Sequence, residues 1–201
     1  MEVKDYSEFL TAAQLKIEEQ AWKESAPYSS LWYAGAVNTY LLEHPECHSV
    51  LEFGCGTGLV PLHLPMAVQY VGVDKNKLCV ERARAKNDHS RTFLWSDIRV
   101  CPYMSASIVC AFAFLKHFQL HEWNTVFRIF IEAAPVAIFT LPMTDAPRSV
   151  EDNTKPFTHV TISHTRLNGQ LELHNRVIES ARYSKKTQET IFVCKKRDHR
   201  S

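Results

Sequence analysis

The sequence has few of the features that would divide it, anchor it or cross-link it. Glycine is scarce, with six in 201 residues. No glycine- or serine-rich linker, internal repeat or low-complexity tract separates one part of the chain from another, so one domain with its own core is expected over 1–201. No apolar run approaches the roughly 20 residues of a membrane span, and no secretory leader pattern opens the chain. The six cysteines (Cys47, Cys55, Cys79, Cys101, Cys110, Cys194) are scattered and include no C-x-x-C pair. They read as reduced, buried thiols, and a cytoplasmic protein is expected. Of the ten histidines, only His44 and His48 stand close together, without further ligands nearby, so no metal site is expected. Charge bias is missing too. With 23 basic and 22 acidic residues the net charge is +1, and a nucleic-acid groove is disfavoured. The run Lys195-Lys196-Arg197 reads as a solvated tail. What remains is an ordinary globular composition, 45% hydrophobic and 22% charged.

Within it one stretch stands out. Val50 to Gly58 reads Val-Leu-Glu-Phe-Gly-Cys-Gly-Thr-Gly. Val50, Leu51 and Phe53 suit a strand buried on both faces. The run then breaks into Gly54, Gly56 and Gly58, where the backbone can turn sharply and be approached closely. A buried strand entering such a loop, with a helix beyond, is a nucleotide-type ligand site at the carboxyl end of a parallel sheet. A dinucleotide fingerprint would require a third glycine where Leu59 stands, so that reading fails.

Around this loop, strands and helices alternate. Tyr6 to Lys23 reads as an amphipathic helix, interrupted at Pro27. Ser29 or Ser30 can cap a second helix, Leu31 to Glu43, before Pro45. After the glycine loop comes a short helix with Pro61 in its first turn, cut off by Pro65. Strands are expected at Tyr70–Val73, ending at Asp74, and at Thr92–Trp95, Ser107–Ala111 and Val136–Leu141. Helices are expected at Lys77–Asn87, His121–Glu132 and Thr165–His174, the last capped by Ser163. Two final strands, Arg176–Tyr183 and Thr190–Lys195, flank a polar turn. This order predicts an α/β fold: a doubly wound, mostly parallel seven-stranded sheet with a C-terminal antiparallel hairpin and two N-terminal helices. Residues 1–48 form the helical cap, and 49–201 the Rossmann-like core.

The spacing Glu52-x-Gly54-x-Gly56-x-Gly58 resembles the first motif of class I S-adenosylmethionine-dependent methyltransferases. The resemblance covers Ser49 to Ile98 well and the remainder in architecture only. It implies S-adenosylmethionine as cofactor and a small-molecule methyl acceptor as partner. Gly54, Cys55, Gly56 and Gly58 would lie against the cofactor through their backbone, and Glu52 would order the loop and bond the ligand directly or through water. Asp74 would accept bonds from both ribose hydroxyls, Asp97 would meet the adenine amino group, and Ile98 would pack on the ring.

Past the fourth strand the family often carries a polar residue near the methionine tail and a histidine pair. Here Phe112 replaces the polar residue, Ser107 the acidic residue that often opens the strand, and Lys116 the first histidine. Tail contact then falls to the backbone of Ala111. His117 is the candidate general base, with His121 behind it. Tyr28, Trp32 and Tyr33 are lid candidates, although Trp32 and Tyr33 fit a core role better. The Asp/Asn-Pro-Pro-Tyr/Phe motif of DNA amino-methylation is absent, and Cys101-Pro102 is the reverse of the cytosine C5 order. Two alternatives stay open: methylation of protein or RNA, guided by Lys116, Arg182, Lys185 and Lys186, or a non-catalytic module that keeps the cofactor fold.

Overall fold

The computed structural model describes residues 29–87, 89–101, 104–144, 149–150 and 159–197. The expected helix Tyr6–Lys23 and the lid candidate Tyr28 lie outside them. The second N-terminal helix occupies residues 29–43. Among the described residues nine strands follow in chain order: β1 (Ser49–Phe53), β2 (Gln69–Asp74), β3 (Arg91–Trp95), β4 (Ile108–Ala111), β5 (Val136–Leu141), β6 (Ser149–Val150), β7 (His159–Val160), β8 (Arg176–Ser184) and β9 (Glu189–Lys196). Seven of them form one sheet in the order β3-β2-β1-β4-β5-β9-β8. The pairings among β1 to β5 are parallel, and β9 lies antiparallel to both β5 and β8. One reversed strand therefore enters an otherwise parallel sheet, as the C-terminal hairpin pattern predicts. The short antiparallel pair β6–β7 falls in a stretch whose prolines read as loop.

Side-chain alternation along the strands builds two cores. Leu51, Val109, Ala137, Phe139 and Phe192 point to one face, under Trp123, Phe127 and Phe130 of the helix Leu120–Glu132 and Leu167 of the helix His164–Leu173. Val50, Tyr70, Cys110, Ile138 and Val193 point to the other, under Tyr33 and Val37 of helix 29–43 and Val80 and Ala83 of the helix Lys77–Lys86. Both faces of the sheet are covered, which is why β4 and β5 are apolar without interruption. Helix starts follow local chemistry. The Asn76 side chain accepts from Cys79 N–H at 3.2 Å, and Ser163 accepts from Arg166 N–H at 3.2 Å. The segment after the glycine loop is a single 3-10 turn, Val60–His63, with proline in its first positions.

One helix end is closed from a distance. The helix Leu120–Glu132 has no basic residue in its last turn. Its exposed carbonyls are met by Arg176, the first residue of β8. That guanidinium is 1% exposed and donates to the carbonyls of Ile131, Pro135 and, at 2.6 Å, Ala134. It lies at the amino edge of the parallel sheet, opposite the glycine loop.

Candidate functional site

The loop leaving β1 carries three residues in the left-handed region: Gly54 at φ 73°, Gly56 at 52° and Gly58 at 68°. Their surroundings differ. A side chain on Gly54 would collide with the Phe114 ring, so the segment after β4 rests directly on the first turn of the loop. Among the described residues nothing lies within 4 Å of where a Cβ on Gly56 would stand, so none of them keeps a ligand from the backbone in the middle of the loop. Cys55 turns inward, its side chain 2.9 Å from where a Cβ on Gly72 of β2 would sit. Glycine at 72 is what lets the loop close down on the neighbouring strand.

Asp74, the last residue of β2, clips this loop in place. One carboxylate oxygen accepts the Gly56 N–H at 2.9 Å, and the other accepts the Asn76 N–H at 2.8 Å. Burial pushes its pKa up, and those two backbone donors pull it back. Each oxygen keeps a further lone pair. A hydrogen-bond acceptor held at a strand end beside an open glycine turn suits a vicinal diol.

Glu52 is more deeply placed than its motif position suggests. It is 2% exposed and accepts a short hydrogen bond from the Tyr70 hydroxyl. Burial pushes its pKa up to about 8, the Tyr70 bond opposing and the nearby Asp74 charge adding to the rise. That rise favours the protonated carboxyl under the loop. The folded state binds the Glu52 proton more tightly than the unfolded chain, whose glutamate titrates near ~4.3. Its contribution is therefore fully present below that pH and is lost as pH rises through about 8. Glu52→Gln is expected to raise the urea midpoint relative to the wild type at pH 9 far more than at pH 4. Parallel midpoints across that range would mean that Glu52 is ionised in the fold.

Asp97, after β3, is engaged by the protein itself. Arg99 donates to both oxygens, at 2.9 and 2.6 Å, and Arg99 N–H adds a third bond at 2.8 Å. These bonds hold its carboxyl below the usual range. Ile98 is 5% exposed and belongs to the core cluster of Leu51 and Trp123. Ala111, fully buried, ends β4. His117 closes the 3-10 turn Leu115–His117, half-buried, with its N–H on the Phe114 carbonyl at 3.1 Å. The glycine loop and Asp74 are in direct contact. Asp97 and His117 belong to the same carboxyl edge, after β3 and β4.

Beside these stands a polar group that periodicity did not reveal. Tyr33 is 5% exposed and stacks on Phe112, with centroids 4.7 Å apart and planes at 4°. Its hydroxyl donates to Glu189 Oε2 at 3.1 Å, while Lys116 Nζ donates to Glu189 Oε1 at 2.7 Å. Thr140 Oγ1 accepts the N–H of Ala113, a residue in the left-handed region at φ 52°. Tyr33 is thus a core residue of helix 29–43, as its sequence setting favours. The one available signal was Glu189 itself, an acidic residue at the start of an apolar strand.

All six cysteines are free thiols. Among the described residues no helix is long and apolar enough to cross a membrane, and no cluster of three or more metal-ligating side chains occurs.

Comparisons with known proteins agree with this geometry. Residues 50–134 match the family model described as a methyltransferase domain. No curated protein matches the sequence. Among solved structures, the chain resembles a magnesium protoporphyrin IX methyltransferase from Synechocystis PCC 6803 with bound S-adenosylmethionine. That match has a TM-score of 0.69 at 14% identity, covering 85% of this chain and 81% of that one. A second is an S-adenosylmethionine-dependent methyltransferase from Clostridium acetobutylicum ATCC 824, with a TM-score of 0.70, 10% identity and coverage of 92% and 99%. A third is a mitomycin 7-O-methyltransferase, with a TM-score of 0.65, 14% identity and coverage of 84% and 54%. Residues 50–134 therefore carry the methyltransferase-domain signature, and the sheet around them has the fold of the class I S-adenosylmethionine-dependent methyltransferases.

Proposed function

We propose that the chain binds S-adenosylmethionine and transfers its methyl group to a small molecule. The observation that carries this is the clip between Asp74 and Gly56 N–H at the open glycine turn. It presents a carboxylate and a bare backbone side by side at the carboxyl end of β1 and β2. The free lone pairs of Asp74 would take the ribose hydroxyls. The backbone of Gly54, Cys55, Gly56 and Gly58 would line the cofactor, with Glu52 and Tyr70 as the buried support beneath. Asp97 and Ile98 would flank the adenine, with Arg99 fixing the Asp97 carboxylate, and the Ala111 backbone would meet the methionine tail.

S-adenosylmethionine supplies an electrophilic methyl on a good leaving group. The protein's part is alignment and exclusion of water. Phe114, resting on Gly54, and Tyr33 with Phe112 provide the apolar walls for that. Where the acceptor must shed a proton, His117 is the residue to take it. The balanced charge supports a small acceptor over a nucleic acid; of the basic run read as a solvated tail, Lys195 and Lys196 are instead residues of β9, with Lys195 paired to Glu179 at 2.8 Å.

Titration calorimetry with S-adenosylhomocysteine tests the cofactor reading, and a saturable isotherm with one site is expected. No heat at micromolar protein would sink the methyltransferase reading together with the non-catalytic alternative. His117→Ala is expected to leave that isotherm in place while slowing methylation of any acceptor that arrives protonated, by about 10²-fold as for a lost general base. Equal turnover of the two proteins across pH 6 to 9 would remove His117 from the chemistry.

A further inference from the structure

The carboxyl edge of the sheet divides between β1 and β4. On one side lie the glycine loop, Asp74 and Asp97. On the other lie Phe112, Phe114, Lys116, Phe118, Thr140 and Glu189, with Tyr33 laid over them from the cap helix. Each oxygen of Glu189 accepts one hydrogen bond, from Tyr33 and from Lys116, and the residue is only 2% exposed, so burial keeps it from a ligand. The Thr140 hydroxyl oxygen already accepts the Ala113 N–H.

The Lys116 ammonium is what remains. Its side chain is 20% exposed, and Glu189 is its one described hydrogen-bond partner. An ammonium has three protons to give, so two remain. Lysine on a surface swings its charge outward into water. Here the buried Glu189 holds it at the sheet edge, at the end of β5 where Leu141 and Thr190 pair. The residue two positions earlier, Phe114, packs on Gly54 and meets Phe118 edge-on at 4.9 Å. A cation held by Glu189 therefore belongs to the 3-10 turn that follows Phe114, the ring that rests on the glycine loop.

We propose that Lys116 selects the methyl acceptor, and that the acceptor is a small, flat, apolar molecule whose reacting group is an acidic oxygen, a carboxylate or a phenolate. This rests on the cofactor reading above. A held ammonium favours the ionised form of a carboxyl or phenol, because an opposite charge within a few ångströms stabilises the anion. A neutral amine would need an accessible acceptor to orient it, and Glu189 is only 2% exposed. In the transfer step a lone pair of the anionic oxygen forms the O–CH3 bond as the S–CH3 bond breaks, its electron pair passing to sulfur. The negative acceptor and positive sulfonium become a neutral ester or ether and a neutral thioether. A carboxylate arrives without a proton to lose, so His117 is dispensable for it. A phenol gives its proton to His117 or to water first.

The test is methyl transfer from tritium-labelled S-adenosylmethionine by the full chain to benzoate, 4-hydroxybenzoate and catechol, with benzylamine and thiophenol alongside. Label is expected in the acidic-oxygen probes. Esters are distinguished from ethers by release of the label in dilute alkali. Lys116→Gln should lose about tenfold or more in kcat/KM, as for a charge-assisted bond. Lys116→Arg should keep most of the activity, and both should bind S-adenosylhomocysteine like the wild type and melt as folded proteins. Label only in the amine or the thiol, label in none of the probes by a chain that binds S-adenosylhomocysteine, or equal kcat/KM in Lys116→Gln overturns the assignment. Should Lys116→Gln fail to fold, the Lys116→Arg protein and the probe pattern of the wild type decide it. A wild-type chain that does not bind S-adenosylhomocysteine removes the cofactor reading, and this inference with it.

Discussion

Asp74→Ala is expected to weaken binding of S-adenosylhomocysteine by about a hundredfold, or about 3 kcal/mol, since a hydrogen bond to a charged group is worth about 1.5–3 kcal/mol. Two losses combine in it. The ribose would lose its charged acceptor, and Gly56 N–H and Asn76 N–H would lose the carboxylate that fixes the loop to β2. Asp74→Asn separates them. An asparagine oxygen can still take one backbone N–H, so the loop is partly kept while the charge is gone. Its affinity should fall between those of the wild type and the alanine protein. Calorimetry gives both numbers, and an alanine variant that binds as the wild type does would end the ribose assignment.

The largest stability effect is expected at the opposite edge of the sheet. Arg176→Met removes a buried guanidinium that satisfies the carbonyls of Ile131, Ala134 and Pro135. The Pro135 carbonyl keeps the Lys196 N–H at 3.3 Å, while those of Ile131 and Ala134 lose the guanidinium; at about 1–3 kcal/mol for each carbonyl left without a partner, a loss of about 4 kcal/mol in urea unfolding is expected. Arg176→Lys should recover only part of it, because one ammonium cannot fork toward three carbonyls at once. Because Arg176 stands at the amino edge, the protein that remains folded should bind S-adenosylhomocysteine normally. A methionine variant within 1 kcal/mol of the wild type, roughly the value of one ordinary hydrogen bond, would show that water replaces the guanidinium there.

The contrast between these two residues also marks what the sequence makes legible. The position of Asp74 at the end of a strand is legible because the short apolar run Tyr70–Val73 stops there, a short helix and a strand beyond the glycine loop. The same holds for Ser163 before its helix and for Pro61 in the 3-10 turn. Strand β5 was read to the residue, Val136 to Leu141, because a doubly covered strand is apolar throughout. Arg176 gives no such signal. Its carbonyl partners stand more than 40 positions away, at separations of 41, 42 and 45, and a charged residue at a strand start looks solvated. Arg91 is similar, reaching back to the carbonyls of Leu64 and Pro65 at 3.0 and 2.9 Å.

The candidate site divides in the same way. The loop and its acidic partner follow from spacing, while the Tyr33–Glu189–Lys116 group depends on residues 156 and 73 positions apart. Periodicity carries no information about such pairs. The resemblance was also least informative there, since Phe112 and Lys116 replace the residues it leads one to expect.

The insertion of β9 between β5 and β8 has a consequence for the order in which the molecule is made. β5 must wait for β9 across the separation from Val136 to Lys195, and until then its outer edge is unpaired. The strands that carry the glycine loop and Asp74 are synthesised and can pair long before the strand that begins with Glu189. A ribosome therefore releases the glycine-loop side of the sheet's carboxyl edge first, and the Lys116–Glu189 side only when β9 has emerged. Between those moments the exposed edge of β5 is open to the wrong strand, which makes the arrival of β9 the step at which this chain is most exposed to aggregation.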